Sequence, residues 1–211
     1  AVAHVRGGGE MGRRWYDDGK LLAKPNSFTD TLACVDHLVT SGWFAADRVG
    51  LEGGSAGGLL VGAVLNLAPE RFRVVHAAVP FVDALTTMLQ PDLPLTVGEW
   101  EEWGNPLADP QVYAAMRAYA PYENVRAAAY PAVLATSSLH DTRVYVTEPA
   151  KWVARLREVV TNDPQTRPIL LRTELSAGHG GRSGRYAAWE QIAWEWAFVL
   201  DQLSAARRVS G

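Results

Sequence analysis

The chain has 211 residues, a formal net charge of −3 and 48% hydrophobic residues. This length suffices for one domain with a sizeable core, and a slightly acidic chain without a basic cluster argues against a nucleic-acid partner. No apolar stretch reaches membrane-spanning length and no signal peptide is visible, so no membrane association is expected. The single Cys34 excludes an internal disulfide and, with the absent signal peptide, predicts a cytoplasmic location.

Strand and helix patterns alternate along the chain, which predicts an α/β fold with a mostly parallel sheet and helices on both faces. Strands are predicted at residues 1–5, 48–52, 74–79, 131–136 and 169–175. The first helix is predicted to begin at a capping box, Ser27 to Asp30, and to close at Gly42. Further helices are predicted at about 56–67, 148–159 and 186–203.

The segment 81–125 breaks this regularity. It contains five prolines and an acidic, aromatic stretch at residues 99–104. Ligands of open parallel sheets bind beyond the carboxyl ends of the strands, so a loop-rich insertion after the strand at 74–79 should overhang the functional site. The segment is therefore the expected specificity region.

Two further patterns predict core positions. The last helix carries a single apolar stripe, which predicts that its tryptophans pack in the core rather than against a ligand. The stripe consists of Trp189, Ile192, Ala193, Trp196, Val199, Leu200 and Leu203. His4 and His76 lie within apolar runs and are also expected in the core.

The most informative motif is Gly-x-Ser-x-Gly at residues 53–57, between a predicted strand and a predicted helix. This is the position of a serine nucleophile on a tight strand-to-helix turn, where the hydroxyl of Ser55 stands above the sheet. The flanking glycines are expected because a side chain on either would collide with the neighbouring strand or helix. By itself, a Gly-Gly-Ser sequence is more often a flexible turn.

A serine nucleophile needs a histidine base and a carboxylate that orients it. Asp141 and His179 each follow a predicted strand, and the chain order Ser, Asp, His is that of the α/β-hydrolase fold. Each residue alone has an ordinary structural explanation, as a turn, a cap or an exposed loop residue. Together they predict a Ser55, Asp141, His179 triad, with the backbone N–H of Ala56 donating to the oxyanion.

Several sequence words resemble the prolyl oligopeptidase family of serine peptidases, and within it the oligopeptidase B branch. They occur at residues 5–10, 52–60, 80–83, 93–96, 99–106, 148–152 and 177–181. The tryptophan-glutamate segment at 99–104 is specific to that branch. The resemblance identifies residues 1–211 as a peptidase catalytic domain of the α/β-hydrolase type.

The resemblance also implies functional residues. Ser55, Asp141 and His179 match the family triad, and Arg143 matches an arginine that binds the substrate backbone near the scissile bond. Glu99 and Glu101 match the glutamates that bind arginine or lysine on the acyl side of the cut bond. The implied function is a serine oligopeptidase acting on short basic peptides without a metal or cofactor.

In the family, a tyrosine upstream of these residues donates to the oxyanion, and a β-propeller further upstream limits access to short peptides. Neither is in this sequence, so the resemblance implies an upstream propeller domain in the parent protein and missing strands at the start of the sheet. The isolated chain is therefore expected to be weakly active or inactive.

Two alternatives remain at this stage. Residues 7–12 satisfy Gly-x-Gly-x-x-Gly and would suggest a nucleotide-binding module, but the polar segment that follows does not open an apolar helix. A non-peptidase serine hydrolase, such as an esterase or an acyl-peptide hydrolase, would use the same triad. Paired carboxylates at Glu99 and Glu101 favour a basic substrate over a neutral acyl group.

Overall fold

The computed structural model describes the backbone of residues 1–209 and the side chains of residues 1–204. Four parallel strands form the sheet of this part of the chain, in the order in which they occur in the sequence. They are β1 (Gly50–Gly54), β2 (Val74–Ala78), β3 (Ala132–Ser138) and β4 (Ile169–Glu174). Their predicted positions are confirmed to within two residues at both ends of each strand.

Eight α-helices complete the described chain. They are α1 (Arg13–Asp17), α2 (Pro25–Thr40), α3 (Ala56–Leu67), α4 (Ala84–Met88), α5 (Thr96–Trp103), α6 (Pro110–Tyr119), α7 (Thr147–Val159) and α8 (Arg185–Val209). The first strand-to-strand connection contains α3 and the last contains α7. Right-handed crossovers between strands that advance in one direction place these two helices on the same face of the sheet.

Alternation along the strands separates the two faces of the sheet. Val75 and Ala77 of β2 belong to the main core, which also contains Phe28 of α2 and Trp152 of α7. The next strand contributes Ala135, which pairs with Ala77 in the register of β2 and β3. The opposite face is contacted by α8, which packs against β2 and β3. The predicted arrangement of helices on both faces is confirmed.

The predicted strand at residues 1–5 is wrong. The segment makes no ladder with any strand of the described chain and instead leads into an isolated bridge between Arg6 and Gly8. An apolar run can only become a strand where a partner strand supplies its hydrogen bonds. Here Ala1, Val2 and Ala3 line an open cavity of about 550 Å³ beside β1.

The capping box is also wrong, although the helix and its end at Gly42 are confirmed. The helix α2 begins at Pro25, a residue that suits the first helical position. The side chain of Ser27 is buried and donates to the carbonyl oxygen of Arg6 at 2.5 Å. Asp30 accepts from Nε and Nη2 of the same arginine at 2.8 and 2.6 Å. Ser27 and Asp30 therefore bind Arg6 instead of capping the helix.

About half of the segment 81–125 is helical, which is more than the predicted loop-rich insertion. It contains the three helices α4, α5 and α6, and the acidic, aromatic stretch lies on α5. Its prolines stand at helix starts and in the connections, where a missing N–H costs little. Pro110, for example, is the first residue of α6, after the capping side chain of Asp109.

The apolar stripe of α8 is mostly exposed, so its assignment to the core is wrong. Trp189 is 57% exposed and Trp196 is 47% exposed, whereas Glu195 and Gln202 of the same helix are buried. Trp196 faces a cavity of about 690 Å³ along β1. His76 is buried as predicted, but His4 is exposed.

The Gly-x-Gly-x-x-Gly segment also lacks the context of a dinucleotide site. No strand precedes it in residues 1–6, and the helix that follows, α1, has five residues and no buried side chain. A dinucleotide fingerprint requires a strand before the glycines and a packed helix after them. This removes the nucleotide-binding alternative.

Candidate active site

The backbone of Ser55 adopts the strained turn that the motif predicts. Ser55 lies between β1 and α3 with φ 53° and ψ −119°, a region that non-glycine residues rarely occupy. Its N–H donates to the carbonyl of Ala78 at 2.9 Å, and its carbonyl accepts from the N–H groups of Gly58 and Phe81 at 2.9 and 3.0 Å. These bonds from three segments hold the serine in its unfavourable conformation.

Only one of the two motif glycines is required by close packing. A Cβ on Gly53 would lie 2.5 Å from the carbonyl oxygen of Gly57 and 2.6 Å from Val61. A Cβ on Gly57 would meet no atom within 4 Å, so the expectation for that glycine is wrong. The close approach on the helix side occurs one residue later, where a Cβ on Gly58 would collide with Pro80.

Asp141 and His179 form a hydrogen-bonded pair. Asp141 follows β3 and His179 follows β4, and Oδ2 of the aspartate lies 2.7 Å from Nδ1 of the histidine. The other carboxylate oxygen accepts from the N–H groups of Arg143 and Val144 at 2.9 and 3.0 Å. The aspartate side chain is 1% exposed. A buried carboxylate held by two backbone N–H donors fixes the orientation of the imidazole.

Ser55 lies at the same edge of the sheet because it follows β1, a parallel neighbour in that sheet. Within residues 1–204, the side chain of Ser55 forms no hydrogen bond, either with His179 or with another residue. Catalytic hydrogen bonds are often long in ligand-free structures and shorten when substrate binds.

A small cavity of about 90 Å³ opens beside the serine. It is lined by Ser55, Ala56, Phe81, Thr87, Met88, Leu95, Glu99, Trp103, Arg143 and Val144. The insertion at 81–125 supplies most of this wall, which agrees with its predicted place over the site. Ala56 is the first residue of α3, so its N–H has no partner within the helix and is available to an oxyanion.

Glu99 and Glu101 do not converge on this cavity. Glu99 lines it, and its Oε2 accepts from Nε1 of Trp103 at 2.7 Å, while the Trp103 ring packs on Phe81 with centroids 5.5 Å apart. Residues two apart on a helix point about 200° apart, so Glu101 is directed away and is exposed.

The third glutamate of the stretch is also engaged elsewhere. The carboxylate of Glu102 pairs with Nζ of Lys24 at 3.0 Å, and the same ammonium lies 4.5 Å from the centre of the Trp103 ring. This pair ties α5 to the start of α2. Of the three glutamates, Glu99 alone reaches the cavity beside the serine.

Sequence reasoning missed the apolar members of the wall. Phe81 follows β2 by three residues, and Val144 follows Asp141 by three, so both lie just beyond strand ends where ligands of parallel sheets bind. That rule could have identified them. Thr87 and Met88 carry no such signal, because they reach the site only through the fold of α4.

No group of three His, Cys, Asp or Glu side chains in residues 1–204 is arranged to hold a metal ion. Across the described helices, none combines the length and the apolar character needed to cross a membrane.

The parallel sheet, the strand-to-helix turn at Ser55 and the Asp141–His179 pair define the α/β-hydrolase class. Comparison with known proteins narrows this class. The model of the prolyl oligopeptidase family matches residues 1–206. The chain belongs to the prolyl oligopeptidase family.

Individual relatives agree with this assignment. Dipeptidyl aminopeptidase BI of Pseudoxanthomonas mexicana is 51% identical over 208 residues, which are 99% of this chain and 28% of the relative. Oligopeptidase B from Leishmania major has a TM-score of 0.91 and 46% identity over 96% of this chain and 28% of its own.

Oligopeptidase B from Trypanosoma brucei, solved in a closed form with covalently bound antipain, has a TM-score of 0.91 and 50% identity. That match covers 95% of this chain and 28% of the solved chain. This chain therefore spans little more than a quarter of the length of the relatives that it matches.

Proposed function

We propose that this chain carries the catalytic residues of a serine oligopeptidase that cleaves short peptides on the carboxyl side of arginine or lysine. One observation carries the proposal: the carboxylate of Glu99, oriented by Trp103, lines the same small cavity as Ser55. A carboxylate in a partly enclosed aromatic pocket suits a guanidinium or an ammonium group.

In the proposed mechanism, His179 removes the proton of Ser55 as the hydroxyl oxygen attacks the peptide carbonyl carbon. Asp141 holds the imidazole in the tautomer with the proton on Nδ1 and stabilises the imidazolium that forms. The imidazolium then protonates the leaving amine, which departs and leaves the acyl-enzyme. His179 next removes a proton from water as the water attacks the acyl carbon, and the imidazolium returns that proton to Ser55 as the ester bond breaks.

The oxyanion of the tetrahedral intermediate is proposed to accept from the N–H of Ala56. A second donor, the upstream tyrosine that the family resemblance implies, would come from a part of the parent protein outside these residues. Loss of one such donor typically costs about 2.7 to 4 kcal/mol of transition-state stabilisation. For this reason we expect little turnover from the 211-residue chain alone.

Substrate contacts are proposed for three further residues. Glu99 binds the basic side chain, and Arg143, at the mouth of the same cavity, binds a backbone carbonyl of the peptide. Glu101 faces solvent here, so we propose that it contributes long-range attraction or contacts a second substrate residue, rather than sharing the guanidinium with Glu99.

An upstream partner domain is supported by two exposed surfaces. In the described chain, β1 pairs on one side only, with β2, and the apolar stripe of α8 is open beside it. Exposed apolar areas of this kind usually mark an interface. We propose that upstream residues of the parent protein, including its propeller, cover the open edge of β1 and the apolar stripe of α8. A cytoplasmic location is proposed from the single, unpaired Cys34.

The test compares fluorogenic peptide amides that end in arginine, lysine, proline or leucine. It is made on the full-length protein, which here means the parent protein with the proposed upstream domain, and on its Ser55→Ala and Glu99→Gln variants. We expect cleavage of the two basic substrates only, none by Ser55→Ala, and a higher KM for Glu99→Gln. Glu101→Gln is the matched control on the same helix, with a smaller effect. Equal cleavage of the leucine substrate would contradict the proposal.

The name of the relative from Pseudoxanthomonas mexicana, dipeptidyl aminopeptidase BI, favours a second candidate: release of dipeptides from a free N-terminus. The same triad would serve both reactions, so the distinction depends on the substrate amino end. Matched arginine peptides with free and acetylated N-termini separate them. Cleavage of the free peptide alone indicates a dipeptidyl peptidase, and cleavage of neutral esters alone indicates an esterase.

A further inference from the structure

A buried carboxylate lies behind the wall of the candidate active site. Glu148 is in the first turn of α7 and is 3% exposed. Its Oε2 accepts from the N–H of Asp83 at 2.9 Å, and its Oε1 accepts from Oγ1 of Thr87 at 2.7 Å. Both donors belong to α4, at its N-cap and in its last turn. One side chain therefore binds both ends of this short helix.

The helix α4 is part of the cavity wall, because Thr87 and Met88 line the cavity beside Ser55. It also positions α5. The hydroxyl of Thr96, the first residue of α5, donates to the carbonyl of Thr87 at 3.1 Å, and Trp100 Nε1 donates to the carbonyl of Met88 at 3.1 Å. Since α5 carries Glu99, these hydrogen bonds link Glu148, through α4, to the helix that carries the proposed specificity carboxylate.

Asp83, which binds Glu148 through its N–H, also links Glu148 to charged groups of two further segments. Asp83, the N-cap of α4, forms an ion pair with Lys151, which lies one turn beyond Glu148 on α7. The same ammonium lies 4.8 Å from the centre of the Tyr122 ring, and the neighbouring Glu123 is partly buried. Within residues 1–204, Asp83 Oδ1 and Glu123 Oε2 are buried without a hydrogen-bond partner. Lys151 is therefore paired with Asp83, and both Lys151 and Arg117 act on the charge of Glu123.

Because it is buried, Glu148 gains and loses its proton near neutral pH. Burial raises the pKa of Glu148 to about 7 from its ordinary 4.5, although the hydrogen bonds from Thr87 and Asp83 oppose the rise. The ionised carboxylate accepts both of these hydrogen bonds. When protonated, one oxygen carries a hydrogen and becomes a donor, so the pair of accepted bonds is weakened.

We propose that Glu148 is a positioning residue for the substrate pocket: its ionised carboxylate fixes α4 and, through α4, the helix that carries Glu99, so that the preference for a basic side chain rises with pH through neutrality. The inference rests on the proposed function, because it concerns the pocket assigned there to arginine or lysine. Glu148 acts through α4 and contacts no substrate.

The experiment measures the labelling of Ser55 in the full-length protein by two probes between about pH 6 and about pH 8.5, a range that spans the titration of Glu148. One is an arginyl phosphonate and the other an uncharged alkyl fluorophosphonate. Both react with the same serine, so their rate ratio cancels any change in the reactivity of that serine. The arginyl guanidinium stays charged throughout. The ratio therefore reports the pocket and not the nucleophile.

We expect the ratio to rise about fivefold across this range in the unmodified protein, at the lower end of coupling between two sites. The ratio should be independent of pH in Glu148→Gln. It should rise less in Thr87→Val, which removes one hydrogen bond but keeps the charge. Glu158→Gln, the same substitution at an exposed position of α7, should behave like the unmodified protein.

Four results would overturn the inference. A preference for the arginyl probe that does not change with pH, or a rise retained in Glu148→Gln, removes the role of Glu148 and leaves the proposed function standing. A full rise in Thr87→Val shows that the charge of Glu148 acts directly on the probe. A serine that reacts with the uncharged probe and shows no arginyl preference at any pH removes the proposed function together with the inference.

Discussion

Replacing Glu148 with glutamine should remove a loss of stability that the unmodified protein undergoes as pH rises toward neutrality. The folded protein holds the proton of Glu148 more tightly than the unfolded chain does, because burial raises the pKa of Glu148 from 4.5 to about 7. The stabilisation linked to that proton is complete below about pH 4.5 and is lost as pH rises to about 7. Glutamine has nearly the same shape and cannot ionise.

The magnitude follows from the size of this pKa change. At about 1.4 kcal/mol for each pKa unit, the rise from 4.5 to about 7 means that ionising Glu148 in the folded state costs roughly 3.5 kcal/mol relative to the unfolded chain. The free energy of unfolding of Glu148→Gln, minus that of the unmodified protein, should therefore increase by up to this amount between about pH 5 and about pH 8. Above that range the difference should be constant.

Urea denaturation of both proteins at a series of pH values measures this difference. Glu158→Gln serves as the control, because Glu158 is exposed and lies on the same helix. A difference that stays constant with pH, or one that grows toward acid, would refute the argument from burial. The stability of the protein and the preference of the pocket both depend on the ionisation of Glu148. The glutamine variant should therefore lose the part of each pH dependence that comes from Glu148.

Three further predictions concern the site and the core. Asp141→Asn should lower kcat by about four orders of magnitude with little change in the thermal midpoint, as steady-state kinetics and calorimetry would show, because the amide favours the wrong imidazole tautomer. Gly53→Ala should cost about 1–3 kcal/mol in chemical denaturation, whereas Gly57→Ala should be nearly neutral, because only the first Cβ meets other atoms. Trp152→Ala should cost about 3–5 kcal/mol in the same assay, since this side chain is fully buried. Equal stabilities of the two glycine variants, or an unchanged Trp152→Ala, would contradict the packing described above.

Local patterns were sufficient where one short segment contains all the information. The turn at Ser55 needs an apolar strand, two small residues and a helix, and all three lie within residues 48–67. Asp141 and His179 could be predicted because each follows a strand, and parallel strands place their carboxyl ends at one edge. The contact between Asp141 and His179 then follows from the adjacency of β3 and β4.

The same patterns failed where a partner elsewhere in the chain decides the outcome. Periodicity shows which residues of α8 share a face, but not whether anything covers that face, and Trp189 and Trp196 are half-exposed. Ser27 and Asp30 fit a helix cap by spacing, yet Arg6 uses both of them. Propensity and spacing are local, whereas these side chains are placed by tertiary contacts.

The sequence by itself determined the parallel α/β architecture, the positions of Ser55, Asp141 and His179 at strand ends, and the family resemblance. Only the tertiary structure decided which glutamate of α5 reaches the cavity, because that depends on how the helix is rotated against Phe81 and Trp103. It also decided the setting of Glu148, whose partner Asp83 lies 65 residues earlier in the chain. Burial is set by whatever packs around a side chain, and the fold brings those neighbours from distant segments.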